Sequence, residues 1–467
     1  MQQISELATY YSLNPNQYGN TVFHCSECGR EHRIPFNFVS SGQSLVNSLP
    51  EIMEFLMPNQ TLNIGIIYDR HIEEKINALF FTSFDKLAYS YVRIPLGEQG
   101  LLLEASTEIG DEAANSMPAN IDLLIGVGSG VICDLTKWIA TKCHLPFLLM
   151  GTAASMNAYT SITGTMTKDK VKSTHWLEPA QGVLMDAALL ASAPHAMTCA
   201  GIGDLLARHI ANADWKLSNL LHGTYFCPVP FEMMRRFQDA YLPLIHQIRE
   251  GDLDAMHKLS DAILVSGYSM TILDGETSPS SGSEHILSHF FDFQHEVFVK
   301  PKNLHGQQVG IGMIIMSTAY EVLLEIDPAI FDIDDIELRR LSLAEIHHET
   351  RRIFGEYSEI INQVISTKRI PDQDFRAYIT NIIHSWESLW KDVRPYLIPA
   401  RKVKQAMTVS GGSTKLSNIQ RTPDDALQAL LYGPWYRPRF TVLDLFWELG
   451  LFPEYAPVIL EQSGVLD

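Results

Sequence analysis

Between residues 61 and 186 short apolar runs alternate with stretches of helical spacing. TLNIGIIYD (61–69), AYSYVRIPL (88–96), IDLLIGVGSG (121–130) and LPFLLMGTAAS (145–155) read as strands, with EEKINALFF (73–81) and LLLEASTEIGDEAANS (101–116) as helices between them. Strands that alternate with helices predict a parallel sheet. After a polar interlude the run GVLMD (182–186) closes the pattern, and from Ser192 onward nearly every segment has helical spacing. The expected fold is therefore an α/β N-terminal domain with a parallel sheet, followed by an all-α C-terminal domain. The divisions fall at 1–58 for an N-terminal extension, 59–190 for the α/β domain and 191–467 for the helical domain. The extension carries breaks at NPNQYGN and SSGQS and one helix through LVNSLPEIMEFLM; the region from about 330 to 430 reads only as helix-rich.

Composition narrows the class. The chain has 467 residues, of which 46% are hydrophobic, enough to bury a large core. Its 54 acidic and 35 basic residues leave a formal charge of −19, which repels nucleic acid and anionic membrane in the absence of a basic cluster. The N-terminal stretch has no basic segment followed by an apolar run, and nothing approaches the length of a membrane span. A cytoplasmic protein is the expectation. The six cysteines are too few and scattered for a secreted disulfide scaffold. Cys25 and Cys28, in FHCSECGREH, have the spacing of half a zinc site, with His24 or His32 as a third ligand; without a second CxxC the sequence favours a tight turn with two free thiols over a zinc knuckle.

The stretch LLIGVGSGVICDLTKWIA predicts a strand, a glycine turn and a helix with Val131, Leu135, Trp138 and Ile139 on one face. Gly126, Gly128 and Gly130 let the backbone approach a phosphate, and the following helix N-terminus faces it with unpaired N–H groups. The spacing departs from G-x-G-x-x-G, and such a turn also serves close packing alone. A second small-residue loop, GTAASMNAYTSITG, offers Thr152, Ser155 and Ser161 at the end of the next strand, the edge where open α/β sheets bind ligands. Asp69 ends an earlier strand, placed either to accept hydrogen bonds from an adenosine ribose or to cap a turn.

In the helical half, Asp204 of AGIGDLLARH stands where an N-cap would, and His285 and His289 lie four residues apart on one helical face. His305 precedes another long apolar helix. One carboxylate and two imidazoles make a half-open site for a divalent ion, although among 17 histidines an i, i+4 pair also arises by chance.

The order of GVGSGVICDLTK, GTAASMNAYTSITG, STHWLEPAQGVLMD, AGIGDLLA, SGSEHILSHFF and LHGQQVGIG resembles the iron-containing alcohol dehydrogenase and dehydroquinate synthase-like superfamily. Within it the chain is most similar to the sn-glycerol-1-phosphate dehydrogenase branch. The match covers about residues 60–320, and YRPRFTVLDLFWELGLF is similar to that branch too. The resemblance implies a site in the cleft between the two domains, with Asp204, His285 and His305 as ligands of one divalent ion (zinc, nickel or iron) and His289 and Asn157 beside Asp204 as catalytic groups. It places NAD or NADP on Asp69, on Gly128, Ser129, Gly130, Val131, Ile132 and Asp134, on Thr152, Ala153, Ala154 and Ser155, and on Ser161.

The implied reaction is hydride transfer between NAD(P) and a phosphorylated polyol, sn-glycerol 1-phosphate or dihydroxyacetone phosphate. Relatives often self-associate, so a homo-oligomer is expected. Several positions depart from the branch. Asn157 and Ala158 stand where relatives usually carry Asp-Gly, Ser278 replaces an Arg suited to phosphate, and Arg208 replaces a fourth ligand, His, of many alcohol-active relatives. Lys172, Lys300 and Lys302 are the remaining candidates for a cationic substrate site. A polyol dehydrogenase, a dehydroquinate synthase-type cyclase and a non-catalytic nucleotide-binding homologue are the alternatives.

Overall fold

The computed structural model describes residues 14–168 and 171–467, with 171 and 172 described by their backbone alone. The start of the expected extension, residues 1–13, and the side chain of Lys172 lie outside the described residues. The chain forms two compact units, one of residues 1–205 with 227–277 and the other of residues 206–226 with 278–467.

The first unit is built on a six-stranded sheet in the order β3-β10-β7-β6-β4-β5, with every pairing parallel. Its strands are β3 (Phe38–Gly42), β4 (Asn63–Asp69), β5 (Ser90–Leu96), β6 (Leu123–Gly128), β7 (Phe147–Gly151) and β10 (Gly182–Asp186). β6, β7 and β10 are buried at every position. That explains why they read as continuous apolar runs, since a parallel sheet is covered on both faces. The edge strand β5 is largely exposed by contrast. Two antiparallel hairpins complete the strands: β1 (Thr21–His24) with β2 (Glu31–Ile34), and β8 (Thr163–Lys168) with β9 (Val171–Trp176). The second hairpin is the polar interlude of the sequence.

Residues 38–56 are part of this unit and not an appendage. β3 pairs along its length with β10, and helix α1 (Leu49–Leu56) buries Leu49, Ile52 and Met53 in the core shared with Ile64, Ile66, Ile125 and Leu184. Their assignment to an extension fails because an edge strand only five residues long, FVSSG, carries too little apolar pattern to be read. Helix α2 (Thr107–Asn115) packs on helix α3 (Gly130–Cys143), which covers the sheet at β6 and β7. In α3 it is Ile132, not Val131, that is buried with Leu135 and Ile139.

Helix α4 (His195–Leu206) runs to the unit boundary, and helix α5 (Arg208–His222) belongs to the second unit. Helices α6 (Val229–Tyr241) and α7 (Leu253–Thr271) return to the first, where α7 packs on α6, β2 and β3. The compact units therefore do not follow a single cut at residue 190: helical spacing shows that a segment is a helix, not which core receives it. The second unit is all helical. Helix α8 (Ser283–Phe298) packs on helix α9 (His305–Glu325) and on helix α10 (Pro423–Tyr436). Six short helices from Ile333–Arg339 to Ala400–Ser410 fill the region left unassigned by the sequence. Among the described residues no helix is long and apolar enough to cross a membrane.

Candidate active site

In the first unit the chain leaves β4 for β5 on one side and leaves β6 for β7 on the other. The ends of β4 and β6 thus flank the point where strand order reverses, the position at which open parallel sheets bind ligands. Asp69 closes β4 and Gly128 closes β6. A Cβ on Gly128 would lie 2.5 Å from Ile132 Cβ, so glycine is what lets α3 begin this close to the strand. The first turn of α3 holds no acidic residue, and its leading N–H groups lie at the end suited to an anion. Ser129, Gly130 and Val131 are half-exposed there.

The other expected cofactor residues divide. Asp69 accepts from the His71 N–H at 2.9 Å and so caps a turn, while its side remains half-exposed. The Thr152 N–H donates to the Gly128 carbonyl at 3.0 Å, which joins the two loops, and Thr152 and Ser155 are half-exposed beside buried Ala153 and Ala154. Ser161 is turned inward onto Thr163, 2.8 Å between hydroxyls. Asp134 accepts from the Thr165 N–H at 3.2 Å and fastens the β8–β9 hairpin to α3. Burial pushes its carboxyl up to about 6, against the pull of Lys137.

Asp204 lies inside α4, which begins nine residues earlier at His195, so it is not the N-cap of a helix. Its Oδ2 accepts from the Asn157 backbone N–H at 2.9 Å. The contact depends on close packing: a Cβ on Gly201 would collide with the Ala154 carbonyl, so this glycine lets α4 down onto the loop. Asn157 itself is buried and meets Asp204 through its backbone.

In the second unit three imidazoles converge. Ring centroids lie 5.1 Å apart for His285 and His305, 6.1 Å for His285 and His289, and 5.6 Å for His289 and His305. The first two are oriented from behind. His285 Nδ1 lies 2.7 Å from Glu284 Oε1, which also accepts from the Gly282 N–H. His305 Nδ1 lies 3.0 Å from Ser288 Oγ, and because that hydroxyl gives its one hydrogen to Gln308 Oε1, it accepts from His305. Both rings therefore carry hydrogen on Nδ1, and a metal would be bound through Nε2.

Behind Glu284 sits buried Asp214, which accepts from the Ser283 N–H at 2.6 Å, the Tyr320 hydroxyl at 2.7 Å and the Val442 N–H at 2.9 Å. Burial, with the nearby Glu284, pushes Asp214 up to about 7. Two glycines permit this packing. A Cβ on Gly282 would lie 2.7 Å from Asp214 Oδ2, and one on Gly312 would lie 2.5 Å from the Glu284 carbonyl oxygen, where α9 crosses α8.

Residues 42–194 match the family model described as iron-containing alcohol dehydrogenase. The glycerol-1-phosphate dehydrogenase (NAD(P)+) of Halalkalibacterium halodurans is 29% identical over 297 residues, 63% of this chain and 73% of that one. The protein of the same name from Pyrococcus furiosus is 36% identical over 197 residues, 41% of this chain and 54% of that one. Among solved structures, a probable glycerol dehydrogenase from Sinorhizobium meliloti 1021 superposes with a TM-score of 0.58 at 14% identity, covering 92% of this chain and 97% of that one. A sulfoacetaldehyde reductase from Bifidobacterium kashiwanohense, in complex with NAD+, gives 0.56 at 14% identity, covering 91% and 98%. At such identities these likenesses show the fold alone.

Over residues 42–194 the chain is similar to the iron-containing alcohol dehydrogenases, and the curated relatives it matches bear the name glycerol-1-phosphate dehydrogenase. The likeness is that of an oxidoreductase.

The residues that the sequence reading missed are the supports: Glu284, Ser288 and Gln308 behind the imidazoles, and Lys137, which is buried and donates to the carbonyls of Ala158 and Thr163 at 2.8 and 3.0 Å. Glu284 stands inside the quoted SGSEH motif, which was its available signal. Lys300, a candidate for substrate phosphate, is paired with Asp425 at 3.1 Å. Arg439, from the C-terminal stretch, reaches the Ser281 carbonyl beside that same motif. Arg208 is buried, its Nη2 3.4 Å from His209 Nε2.

Proposed function

We propose that this protein is a metal-dependent dehydrogenase that transfers hydride between NAD(P) and a polyol phosphate, with sn-glycerol 1-phosphate and dihydroxyacetone phosphate as the substrate pair. The observation that carries the reading is the pair His285 and His305, whose Nδ1 atoms are fixed by Glu284 and Ser288 so that both rings offer Nε2. With Asp204 they supply one carboxylate and two neutral imidazoles, a donor set that suits zinc, nickel or iron. An ion held there supplies Lewis-acid polarisation of a hydroxyl or carbonyl oxygen, and NAD(P) supplies the hydride acceptor or donor.

The chain's own groups do the rest. His289 is half-exposed beside the pair and takes or returns the hydroxyl proton, a task suited to an imidazole whose ordinary pKa is near ~6.5. Asn157 cannot take a proton, so its part is to hold the Asp204 carboxylate through its backbone N–H. The turn from Gly128 to Ile132, with Thr152 to Ser155 and Asp69, receives the cofactor at the switch point of the sheet. Asp69 favours NAD by repelling a 2′-phosphate, an effect that Arg70 offsets. Ser161 and Asp134 support these loops from within.

A plain polyol dehydrogenase is the second reading. Ser278 replaces an arginine and Lys300 is already paired with Asp425, while Arg439 is a cation beside the SGSEH motif. One panel separates the two: both enantiomers of glycerol phosphate, dihydroxyacetone phosphate and glycerol, with each nicotinamide cofactor and with zinc, nickel or iron. Turnover of glycerol 1-phosphate and of dihydroxyacetone phosphate, lost together with bound metal in His305→Ala, is the expected result. A fully active His305→Ala enzyme overturns the assignment, and activity on glycerol alone selects the second reading.

A further inference from the structure

The first unit holds a second cluster of metal-ligating side chains, built from residues that the dehydrogenase reading does not use. Cys25, Cys28, His32 and Cys227 each bring one ligand atom within 4.8 Å of the other three. Strand alternation selects the members. On the β1–β2 hairpin Phe23, Cys25, His32 and Ile34 face inward, whereas His24 faces out and is exposed. Cys227 comes from 195 residues further on than His32, just before α6, and is fully buried.

Three of the six ligand spacings match those of a tetrahedron. Zinc bonds of about 2.3 Å to sulfur and about 2.05 Å to nitrogen at tetrahedral angles place sulfurs about 3.8 Å apart and sulfur and nitrogen about 3.5 Å apart. Cys25 Sγ and Cys227 Sγ are separated by 3.8 Å, and His32 Nε2 lies 3.3 Å from Cys28 Sγ and 3.5 Å from Cys227 Sγ. A disulfide would need about 2.05 Å between sulfurs.

The surroundings are arranged for thiolates and a neutral imidazole. His32 Nδ1 lies 2.7 Å from the Ile272 carbonyl, which fixes the hydrogen on Nδ1 and turns Nε2 toward the sulfurs. The backbone N–H groups of Cys28 and Glu27 face the Cys25 sulfur, and that of Val229 faces the Cys227 sulfur. Gly29, at φ +71°, completes the turn, with its N–H donating to the Cys25 carbonyl at 2.9 Å.

We propose that Cys25, Cys28, His32 and Cys227 bind one structural zinc ion that fastens the N-terminal hairpin to the start of α6. Three sulfurs and one nitrogen close the coordination shell, so the site leaves no position for substrate and serves stability. A two-stranded hairpin is marginal by itself, and this clasp fixes it across the chain. The sequence reading stopped at half a site because the fourth ligand lies in the helical region, outside any local spacing rule.

The inference rests on no part of the dehydrogenase reading, and the test keeps the two apart. In a His285→Ala/His305→Ala protein purified from zinc-containing medium, elemental analysis should find about one zinc per chain, and the cobalt-grown form should show thiolate-to-cobalt charge-transfer absorption. Adding Cys227→Ser should lower zinc below about 0.2 per chain and abolish that absorption, whereas Cys143→Ser should change neither. A zinc-free double-histidine protein, or full zinc retention in Cys227→Ser, overturns the proposal. Should Cys227→Ser fail to fold, mercurial titration of the double-histidine protein decides: zinc released in step with modification of three thiols supports the site, and no release overturns it.

Discussion

Glu284 shows how much of a site's behaviour rests on a residue that would not itself touch the substrate. Its carboxylate is fully buried, and it spends Oε1 on the His285 ring and the Gly282 N–H. Glu284→Gln keeps the shape but removes the charge that holds hydrogen on His285 Nδ1, so affinity for the divalent ion should fall about 10- to 100-fold. Metal titration of the apo protein checks this; unchanged affinity would show that Glu284 serves packing alone. At the neighbouring position Gly282→Ala should be far worse, because its Cβ would press on Asp214 Oδ2 and the backbone of Ala211.

At the scale of elements, the spacing of two imidazoles is set by how closely two helices approach. Gly312 lets α9 cross α8 against the Glu284 carbonyl. Gly312→Ala should open that crossing, lower stability by about 1–3 kcal/mol and weaken metal binding at His285 and His305 together. Denaturant unfolding and metal titration of the variant read the two effects separately. The β8–β9 hairpin gives a second case. Asp134, which pins it to α3, has a folded pKa of about 6 against an ordinary value near 3.9. The folded state thus holds a proton that the unfolded state has released, so this group's contribution falls as pH rises from about 4 to about 6. Asp134→Asn should remove that slope, and the difference in Tm between variant and wild type should grow in the variant's favour across the window. A constant difference would show that Asp134 ionises normally.

The central strands were legible because β4, β6, β7 and β10 are apolar runs bounded by glycine and polar residues. That His285 and His305 stand together was legible because the SGSEH and LHGQQ motifs preserve local order. What escaped was whatever depends on distant packing: β3 at the sheet edge, the return of α6 and α7 to the first unit, Cys227 opposite the CxxC turn, and the inward rotation of Ser161 and Asp134. Asp204 is instructive, since two preceding glycines imitate a helix start, whereas Gly201 serves to let α4 meet the Ala154 carbonyl.

For the molecule as a whole, charge is the property that reaches beyond any one contact. A formal charge of −19 surrounds the proposed site, and the substrate pair proposed for it is anionic. The field of the protein should slow the approach of a phosphorylated substrate at low ionic strength, because the Debye length there is about 30 Å at 0.01 M and about 8 Å at 0.15 M. Raising salt across that range should increase kcat/KM for dihydroxyacetone phosphate by roughly 2- to 5-fold, with kcat little changed. Uncharged dihydroxyacetone, turned over under the same conditions, should show no such trend, which removes effects of salt on the fold. A kcat/KM that instead falls with salt would mean that local cations, Arg439 foremost, outweigh the net charge at the mouth of the site, and would strengthen the phosphate assignment while overturning the whole-molecule argument.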